Sequence, residues 1–426
     1  MFELVSRMLR VGLGAVLLLL AACEQAPLDV PALDPDAAAP AAAGLDPERL
    51  ARLDAYIEDL IESGQIAGAQ VLLARQNLVV HNEVFGVRDL ETQAPVTHDT
   101  LWRIYSMTKP VTSVAAMLLY EEGLFTLDDA LADHLPEFAQ MTVWREGEAV
   151  PAERAITIRH LFTHSAGFAY GFTDEGVDAL YREAELFASE NLTAFSERLA
   201  TLPLVMEPGD RWHYGVSTDI LGRLVEVLSG EPLDAFLSER LFEPLGMVDT
   251  FFEVPPEKRD RLPALYQLDA DSGELEEVPE GTLAGIRWSD VSLLSGGGGL
   301  VSTAEDYMRF ARMLANGGSL DGIRVLSPKT VEWMTRNHLP EYDAAEDGVS
   351  GRGNSIGFGL GFAVIEDPAR WSGVAAAPGE YWWGGAAGTF FWVDPTYEVI
   401  AILMIQRYAA EPIRETFRIL VNAAIE

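Results

Sequence analysis

The apolar positions at the start of the folded body recur at helical spacing. Asp46 and Pro47 come before them as an N-cap and a first helical residue, and Gly64 follows them as a stop signal. The pattern predicts an amphipathic helix between these signals, with a buried stripe formed by Leu50, Leu53, Ile57, Leu60 and Ile61.

β-Rich runs lie at both ends of the body. The first two runs follow the first helix directly and predict a hairpin packed under it. The last three precede an amphipathic pattern over residues 413–425, which predicts a closing helix. The predicted strands are residues 70–75, 78–85, 358–365, 388–393 and 399–406.

The middle of the chain has a different pattern. Residues 136–287 are mainly helical in pattern, broken by proline and glycine, with an acidic loop around residues 269–280. Because strands lie at both ends and helices lie between them, we expect one sheet built from both termini and a helical insertion. The predicted α/β domain comprises residues 46–135 and 288–426, and the mainly helical domain comprises residues 136–287.

An apolar run over residues 11–22 follows a short segment that carries Arg7 and Arg10. A run of this length is too short for a permanent membrane span and is typical of a secretory signal, which we expect to be residues 1–22. The run ends in Leu20-Ala21-Ala22-Cys23, which resembles the lipobox of bacterial lipoproteins, so we expect Cys23 to be diacylated and to become the new N-terminus. An ordinary secretory signal with an incidental cysteine is the alternative.

The segment after the signal predicts a tether. Cys23 is the only cysteine, so the chain cannot form an internal disulfide. Residues 23–45 contain the lipidated cysteine and a stretch rich in proline, alanine and aspartate that buries almost nothing. These features predict a periplasm-facing lipoprotein of the bacterial cell envelope, anchored to the inner or the outer membrane.

The chain is strongly acidic. It has 30 Lys and Arg against 66 Asp and Glu, a formal net charge of −36. Loss of the signal, which carries two arginines and one glutamate, makes the charge one unit more negative. Such a body is repelled by nucleic acid and by anionic membrane surfaces, so we expect no nucleic-acid partner and a membrane contact made by the lipid alone.

One of only three lysines stands three residues after a serine. Ser106 and Lys109 lie at the head of an apolar helical pattern. A helix N-terminus presents unpaired N–H groups and partial positive charge, which suits a serine that must become an alkoxide. A Ser-x-x-Lys pair can perform acyl transfer with an amine as the base. The alternative is an N-cap serine beside a lysine whose ammonium extends to solvent.

Two further segments can contribute to acyl transfer. A buried tyrosine near a lysine can act as a phenolate or relay a proton, and Tyr214 is the candidate. The alternative for Tyr214 is a core aromatic residue. In Trp383-Gly384-Gly385-Ala386, paired glycines on an edge strand let a backbone N–H approach a ligand closely, with a bulge or tight bend as the alternative.

Together and in this order, the three segments resemble the three motifs of the serine β-lactamase and penicillin-binding-protein superfamily. They are most similar to one branch of it, the family VIII carboxylesterases. The resemblance runs over about residues 46–406. It is also carried by residues 156–167, 214–222, 243–247 and 295–303.

The resemblance implies a β-lactamase/transpeptidase-like α/β fold, with an antiparallel sheet flanked by helices and a mainly helical insertion. It implies that Ser106 is the nucleophile and that Lys109 and Tyr214 form the general-base pair. It further implies an oxyanion hole formed by the backbone N–H groups of Ser106 and Ala386.

Two departures from the superfamily pattern bear on specificity. Trp383-Gly384-Gly385 stands where β-lactamases usually carry Lys-Thr-Gly, and Tyr214-Gly215-Val216 stands where class C enzymes carry Tyr-x-Asn. The cation for a β-lactam carboxylate and the asparagine for its amide are therefore expected to be missing, which favours neutral esters. Gly215 also replaces the serine common beside the esterase tyrosine, a difference in positioning that removes no catalytic group.

Other residues of chemical interest are interpreted more simply. His160 and His164 have i, i+4 spacing but no third ligand near them, so we expect no metal site. Residues 295–299 are glycine-rich without the pattern of a phosphate-binding loop, so we expect no cofactor there. The aromatic residues near these motifs are Phe168, Tyr170, Phe172, Trp382, Trp383, Phe390 and Phe391. Part of this cluster should line an apolar acyl pocket, and we expect substrate contacts from Trp383, Gly384, Gly385, Tyr170 and Phe172.

The sequence therefore predicts a serine hydrolase that cleaves small-molecule carboxylic esters with short to medium acyl groups through a covalent acyl-enzyme. A β-lactamase or a D-amino-acid peptidase on the same fold is the nearest alternative. A non-catalytic protein of the cell envelope, which uses the fold to bind a partner, is the alternative from another class.

Overall fold

A seven-stranded antiparallel sheet forms the centre of the molecule. The computed structural model describes residues 39–173, 175–279, 287–339, 355–369 and 374–426. The strands are β1 (Gly68–Arg75), β2 (Leu78–Gly86), β11 (Ile356–Phe358), β12 (Ala363–Ile365), β13 (Tyr381–Gly384), β14 (Phe390–Asp394) and β15 (Val399–Ile405). Their order in the sheet is β11-β12-β13-β14-β15-β1-β2, so the N-terminal hairpin is added to the edge of a C-terminal meander.

The pairing of β1 with β15 joins the two ends of the chain. Ala69 is opposite Ile405, and Arg75 is opposite Val399. Both strands are buried along their whole length. A strand covered on both faces has apolar residues at nearly every position instead of alternating ones. The prediction of one sheet built from both termini is therefore confirmed.

Helices cover both faces of this sheet. On one face α1 and α11 pack together over Leu73, Trp392 and Leu403, and on the other face α2 and α9 pack over the alternate positions. The helices are α1 (Pro47–Glu62), α2 (Thr108–Glu121), α3 (Ile158–Phe162), α4 (Gly176–Glu183), α5 (Leu192–Leu199), α6 (Ser217–Ser229), α7 (Leu233–Leu237), α8 (Glu243–Leu245), α9 (Ala304–Ala315), α10 (Pro328–Met334) and α11 (Glu411–Ala424).

Local signals predicted the first and last helices well. Asp46 accepts from the backbone N–H groups of Glu48 and Arg49, as an N-cap does, and the helix ends at Glu62, two residues before Gly64. The closing helix begins two residues earlier than predicted, at Glu411. Both helices are confirmed.

Two of the predicted strands are wrong in their extent. The stretch 358–365 is not one strand, because the chain turns between β11 and β12 at Gly361, whose φ of +98° suits glycine. The stretch 388–393 begins too early, because Gly388, with φ of +89°, belongs to the turn between β13 and β14. Strand periodicity alone does not distinguish one strand from two separated by a glycine turn.

The middle of the chain contains α3 to α8, as its pattern predicted, and also two small hairpins. These are β4 (Thr142–Arg145) with β5 (Glu148–Pro151), and β6 (Tyr266–Leu268) with β7 (Leu275–Glu277), the second of which lies in the predicted acidic loop. The division into two domains stays a prediction. The remaining strands are β3 (Trp102–Arg103), β8 (Val301–Ser302), β9 (Ser319–Leu320) and β10 (Ile323–Arg324).

The predicted signal, Cys23 and most of the tether lie outside the described residues, which begin at residue 39. Within the part of the chain that the structure describes, no helix is both long and apolar enough to cross a bilayer.

Candidate active site

Ser106 lies in a short 3-10 turn, Tyr105–Met107, that leads directly into α2. The apolar helical pattern headed by Ser106 therefore becomes a regular α-helix only at Thr108, two residues after the serine. The residue before the serine, Tyr105, has φ of +42°, a conformation that is unusual for a side chain of this size. Its ring packs edge-on against Trp288 at 5.2 Å, and packing of this kind can hold a strained residue in place.

Lys109 is buried, with 1% of its surface exposed. Its ammonium donates to the Gly297 carbonyl at 2.7 Å, to the Tyr170 hydroxyl at 2.8 Å and to Ser106 Oγ at 3.3 Å. A lysine whose ammonium extends to solvent would make none of these contacts. The alternative of an N-cap serine beside a solvent-exposed lysine is therefore wrong.

Tyr214 completes the cluster around the serine. Its hydroxyl donates to Ser106 Oγ at 2.8 Å, and Lys109 Nζ lies 4.8 Å from the centre of its ring. The ring is held between Trp212, at 5.8 Å, and Trp383, at 5.5 Å. The structure thus brings together the three residues that the sequence singled out.

Tyr170 has a contact that the sequence analysis missed. It was predicted to bind substrate, and it does line the cavity, but its hydroxyl also accepts a hydrogen bond from Lys109. Burial, with the nearby Tyr214 and Asp219, holds the pKa of the Tyr170 phenol well above its usual value. Tyr170 is therefore a protonated phenol, which can accept from the ammonium while it keeps its own proton.

The glycine-rich stretch 295–299 forms the wall behind Lys109. The Gly297 carbonyl accepts from the lysine, and the Gly296 carbonyl accepts from Thr112 Oγ1 at 2.8 Å. The Leu300 N–H donates to Thr108 Oγ1 at 3.1 Å. This segment therefore supports the base instead of a phosphate group.

The turn between β13 and β14 reaches the serine from the sheet side. A Cβ on Gly385 would lie 2.3 Å from the Ile104 carbonyl oxygen, so only glycine allows this approach two residues before Ser106. The turn closes with the Gly385 N–H donating to the Thr389 carbonyl at 2.8 Å. Ala386, at the tip of this turn, lines the same cavity as Ser106, as an oxyanion hole requires.

The predicted edge strand is an inner strand that is open at one end. β13 lies between β12 and β14, but β12 pairs only with Tyr381 and Trp382. Trp383 and Gly384 extend beyond that pairing into the cavity wall. β13 is therefore not an edge strand, and that expectation is wrong. The end of β13 that lacks a partner in β12 faces the cavity.

Arg414 places a cation beside β13, although the sequence led us to expect no cation there. Arg414 of α11 donates to the carbonyl of Gly385 and, at 3.4 Å, to that of Gly388. Its guanidinium lies 5.7 Å from the centre of the Phe390 ring. Nothing in the residues of the strand itself indicated this cation, because the C-terminal helix supplies it.

A cavity of about 1000 Å³ is lined by Ser106, by the glycine-rich stretch 295–299 and by the turn between β13 and β14. All five residues predicted to bind substrate line it, and Phe172 is 67% exposed at its rim. Volumes of this order accommodate drug-sized ligands. Other lining residues are Tyr181, Arg182, Glu185, Leu186, Phe187, Ala188, Trp212, Val374, Trp382, Phe390, Tyr408, Glu411, Glu415 and Arg418.

The two histidines considered as metal ligands have other contacts. His160 Nδ1 accepts from the Thr157 N–H at 3.1 Å, and burial lowers the His160 pKa to about 4. His164 is buried with its ring 4.8 Å from that of Tyr214. Burial and then the nearby Lys109 hold the His164 pKa well below its usual value, so this imidazole is neutral.

The arrangement has the parts that acyl transfer needs. A hydroxyl nucleophile, an amine and a phenol lie within hydrogen-bond reach of one another in a largely apolar cavity. Because both partners already contact Ser106 Oγ, proton transfer to whichever of them has lost its own proton needs no movement of the backbone.

Comparison with known proteins agrees with this geometry. A family model described as Beta-lactamase matches residues 53–424. Esterase EstB of Burkholderia gladioli is 31% identical over 389 residues, which cover 86% of this chain and 92% of EstB. Protein Rv1367c of Mycobacterium tuberculosis is 36% identical over 367 residues, with coverage of 83% and 88%.

A solved structure is also similar. EstCE1, described as a hydrolase with promiscuous acyltransferase activity, superposes with a TM-score of 0.74 at 27% identity. The match covers 88% of this chain and 98% of EstCE1.

Tyr170→Phe removes an acceptor from the buried ammonium and leaves the ring in the cavity. We expect kcat for ester hydrolysis to fall about 10- to 100-fold with little change in KM, because an unsatisfied hydrogen bond to a charged group costs about 1.5–3 kcal/mol. Tyr381→Phe, also buried but outside the lysine network, is the control and should keep its kcat. Equal losses in the two variants would contradict this role of Tyr170.

Proposed function

Because the chain belongs to the beta-lactamase family, we propose that it is a serine hydrolase that cleaves carboxylic esters through a covalent acyl-enzyme. The observation that carries the proposal is the contact of Ser106 Oγ with both the Tyr214 hydroxyl, at 2.8 Å, and Lys109 Nζ, at 3.3 Å. The likeness to the esterase EstB supports an ester as the substrate.

The first half of the reaction forms the acyl-enzyme. Ser106 Oγ attacks the ester carbonyl carbon and gives its proton to the Lys109–Tyr214 pair. The carbonyl oxygen becomes an oxyanion that accepts from the N–H groups of Ser106 and Ala386. The C–O bond to the alcohol then breaks, and the pair returns the proton to the departing alcohol oxygen.

The second half repeats these steps with water. Water loses a proton to the same pair and attacks the acyl carbon, and the oxyanion forms again in the same place. The bond to Ser106 Oγ breaks, Ser106 regains a proton, and the carboxylic acid leaves. No metal or cofactor takes part in this scheme.

The cavity favours neutral esters with short to medium acyl groups. Tyr170 stacks on Phe172 with ring centres 5.0 Å apart, and Trp382 stacks on Trp383 at 5.8 Å. These aromatic faces offer apolar contact to an acyl or alcohol group. An ester without charge loses little hydration on entering such a site.

Arg414 favours a second candidate function, a β-lactamase or D-amino-acid peptidase. A guanidinium beside β13 is a possible partner for a substrate carboxylate. The two carbonyls of the turn and the Phe390 ring already occupy it, so a carboxylate would have to compete with these contacts. We therefore favour the esterase.

For the location we propose a lipoprotein of the cell envelope that faces the periplasm. The proposal rests on Leu20-Ala21-Ala22-Cys23 after an apolar run and on the tether that follows. A net charge of −36 gives the body no electrostatic route to anionic lipid, so the lipid on Cys23 would make the membrane contact.

Ser106→Ala should abolish both ester hydrolysis and covalent labelling by a fluorophosphonate, since it removes the nucleophile while the turn tolerates alanine. Ser113→Ala is the matched control, because Ser113 is a buried serine of α2, the helix that follows Ser106, and does not line the cavity. Ordinary turnover by the Ser106 variant would refute the mechanism. Failure of the wild type to be labelled would favour the non-catalytic alternative.

A p-nitrophenyl ester and a penicillin separate the two candidate functions. We expect kcat/KM for the best ester to exceed that for penicillins by at least about a thousandfold, or roughly 4 kcal/mol of transition-state binding. A β-lactam carboxylate loses hydration in the cavity and finds Arg414 already bonded to the turn. Comparable turnover of the two substrates would establish the β-lactamase instead.

Cys23→Ser should release the protein from the membrane fraction or leave an unprocessed precursor, because the thioether to the lipid cannot form. Fractionation of cells followed by detection of the protein measures this. A cleanly processed variant that still sediments with membranes would argue against lipidation at this residue.

A further inference from the structure

Asp219 is a completely buried carboxylate that the acyl-transfer scheme does not use. It lies in the first turn of α6, where the helix dipole favours negative charge. Its Oδ1 accepts from Ser295 Oγ at 2.6 Å and from the Gly297 N–H at 3.1 Å. Its Oδ2 has no hydrogen-bond partner among the residues that the structure describes.

A single residue connects this carboxylate with the catalytic lysine. The Gly297 N–H donates to Asp219, and the Gly297 carbonyl accepts from Lys109 Nζ at 2.7 Å. A Cβ at Gly297 would lie 2.5 Å from Asp219 Oδ2, so glycine is what allows the carboxylate to come this close. The two buried groups of opposite charge therefore face each other across one peptide unit.

The other ionisable groups around Lys109 and Asp219 do not neutralise the charge of either residue. Tyr170 is protonated and His164 is neutral, as their pKa directions require. Four helices pack against α6. α2 contributes Lys109, and α5 and α7 contribute the apolar Leu192 and Leu233 near Gly222. α3 carries Arg159, which pairs with Asp128, and His160, whose pKa is lowered to about 4 by burial. The third ionisable group that faces the lysine is Tyr214 itself.

We propose that Asp219 is the buried counter-ion of Lys109 and a positioning residue for the base. Its carboxylate keeps the lysine as an ammonium in the resting enzyme. The group that takes the proton from Ser106 is then Tyr214 as a phenolate, formed when the tyrosine hydroxyl loses its own proton to solvent. The inference rests on the proposed function and deepens it, because it assigns separate roles to the two members of the base pair.

The physical argument is the balance of charge in a buried site. Burial raises the pKa of the Asp219 carboxyl, and Lys109, Ser295 and Gly297 act against this rise. Isolated buried charge is costly, so an ammonium and a carboxylate this close are more stable together than either is alone. Lys109 Nζ lies 4.8 Å from the centre of the Tyr214 ring, close enough to stabilise the negative charge that the tyrosine oxygen carries as a base.

The first test is the pH dependence of kcat/KM in Asp219→Asn, which keeps an oxygen for Ser295 and Gly297 but removes the charge. A negative charge near the Lys109–Tyr214 pair raises the pH at which the pair loses its proton. Its removal should therefore shift the acidic limb of the profile to lower pH, by about one unit for charges a few ångströms apart.

Asp306→Asn is the matched control for this shift. Asp306 is a buried carboxylate on α9 that accepts from Thr250 and from the Asp249 N–H, away from the lysine. We expect it to alter stability and to leave the acidic limb in place. A uniform loss of activity in Asp219→Asn without a shift, or a profile equal to that of the wild type, would overturn the proposal.

Lysine-specific NMR tests the charge directly and does not depend on the folding of Asp219→Asn. The chain has only three lysines, and Lys258→Arg and Lys329→Arg variants identify the resonance of Lys109 in protein labelled with ¹³Cε-lysine. Lys258 pairs with Asp249, and Lys329 is exposed on α10, so neither exchange touches the site. An ammonium at pH 7 in the wild type is expected, and a neutral amine would overturn the proposal.

Fluorophosphonate labelling of the wild type separates this inference from the proposed function. Labelled, esterase-active protein with an unshifted Asp219→Asn profile means that only the assignment of Asp219 is wrong. Protein that is neither labelled nor active means that the proposed function itself is wrong.

Discussion

The site depends on the burial of one ammonium group. Lys109 has 1% of its surface exposed, and a buried cation must have its donors satisfied inside the protein. Three acceptors from three parts of the chain meet it: Ser106 next to α2, Tyr170 after α3, and Gly297 before β8. The positions of the nucleophile, the helical segment and the glycine-rich wall are therefore set by one requirement for hydrogen bonds.

Close backbone approach is the second constraint on the site. Gly297 fits between Lys109 and Asp219, and Gly385 fits against the carbonyl of Ile104 just before the serine. In both places an added Cβ would overlap an atom that cannot easily move. The sequence showed paired glycines in both segments, but their roles differ. The segment of Gly297 provides an acceptor for Lys109, whereas the segment of Gly385 forms the turn that places Ala386 at the cavity.

Local signals explain what the sequence could predict. The cap at Asp46 and the Ser106–Lys109 pair are defined by residues within a few positions of each other, and both were found. The strand break at Gly361 was missed, because a glycine turn inside an apolar run leaves the periodicity unchanged. The contacts of Tyr170 with Lys109 and of Arg414 with Gly385 were missed because they join residues far apart in sequence, and only the folded chain brings them together.

The arginines at the cavity bond to other groups of the protein and are not left available for an anionic substrate. The chain carries a net charge of −36, which repels anionic substrates at long range, so only cations at the cavity could favour them. Arg418 forms a buried pair with Glu380, and Arg414 is bonded to the turn of Gly385. Arg182, the third arginine that lines the cavity, donates to the carbonyls of Gly171 and Phe172. Since all three guanidinium groups already have partners, a substrate carboxylate would gain little here and would lose its hydration, whereas a neutral ester incurs neither cost.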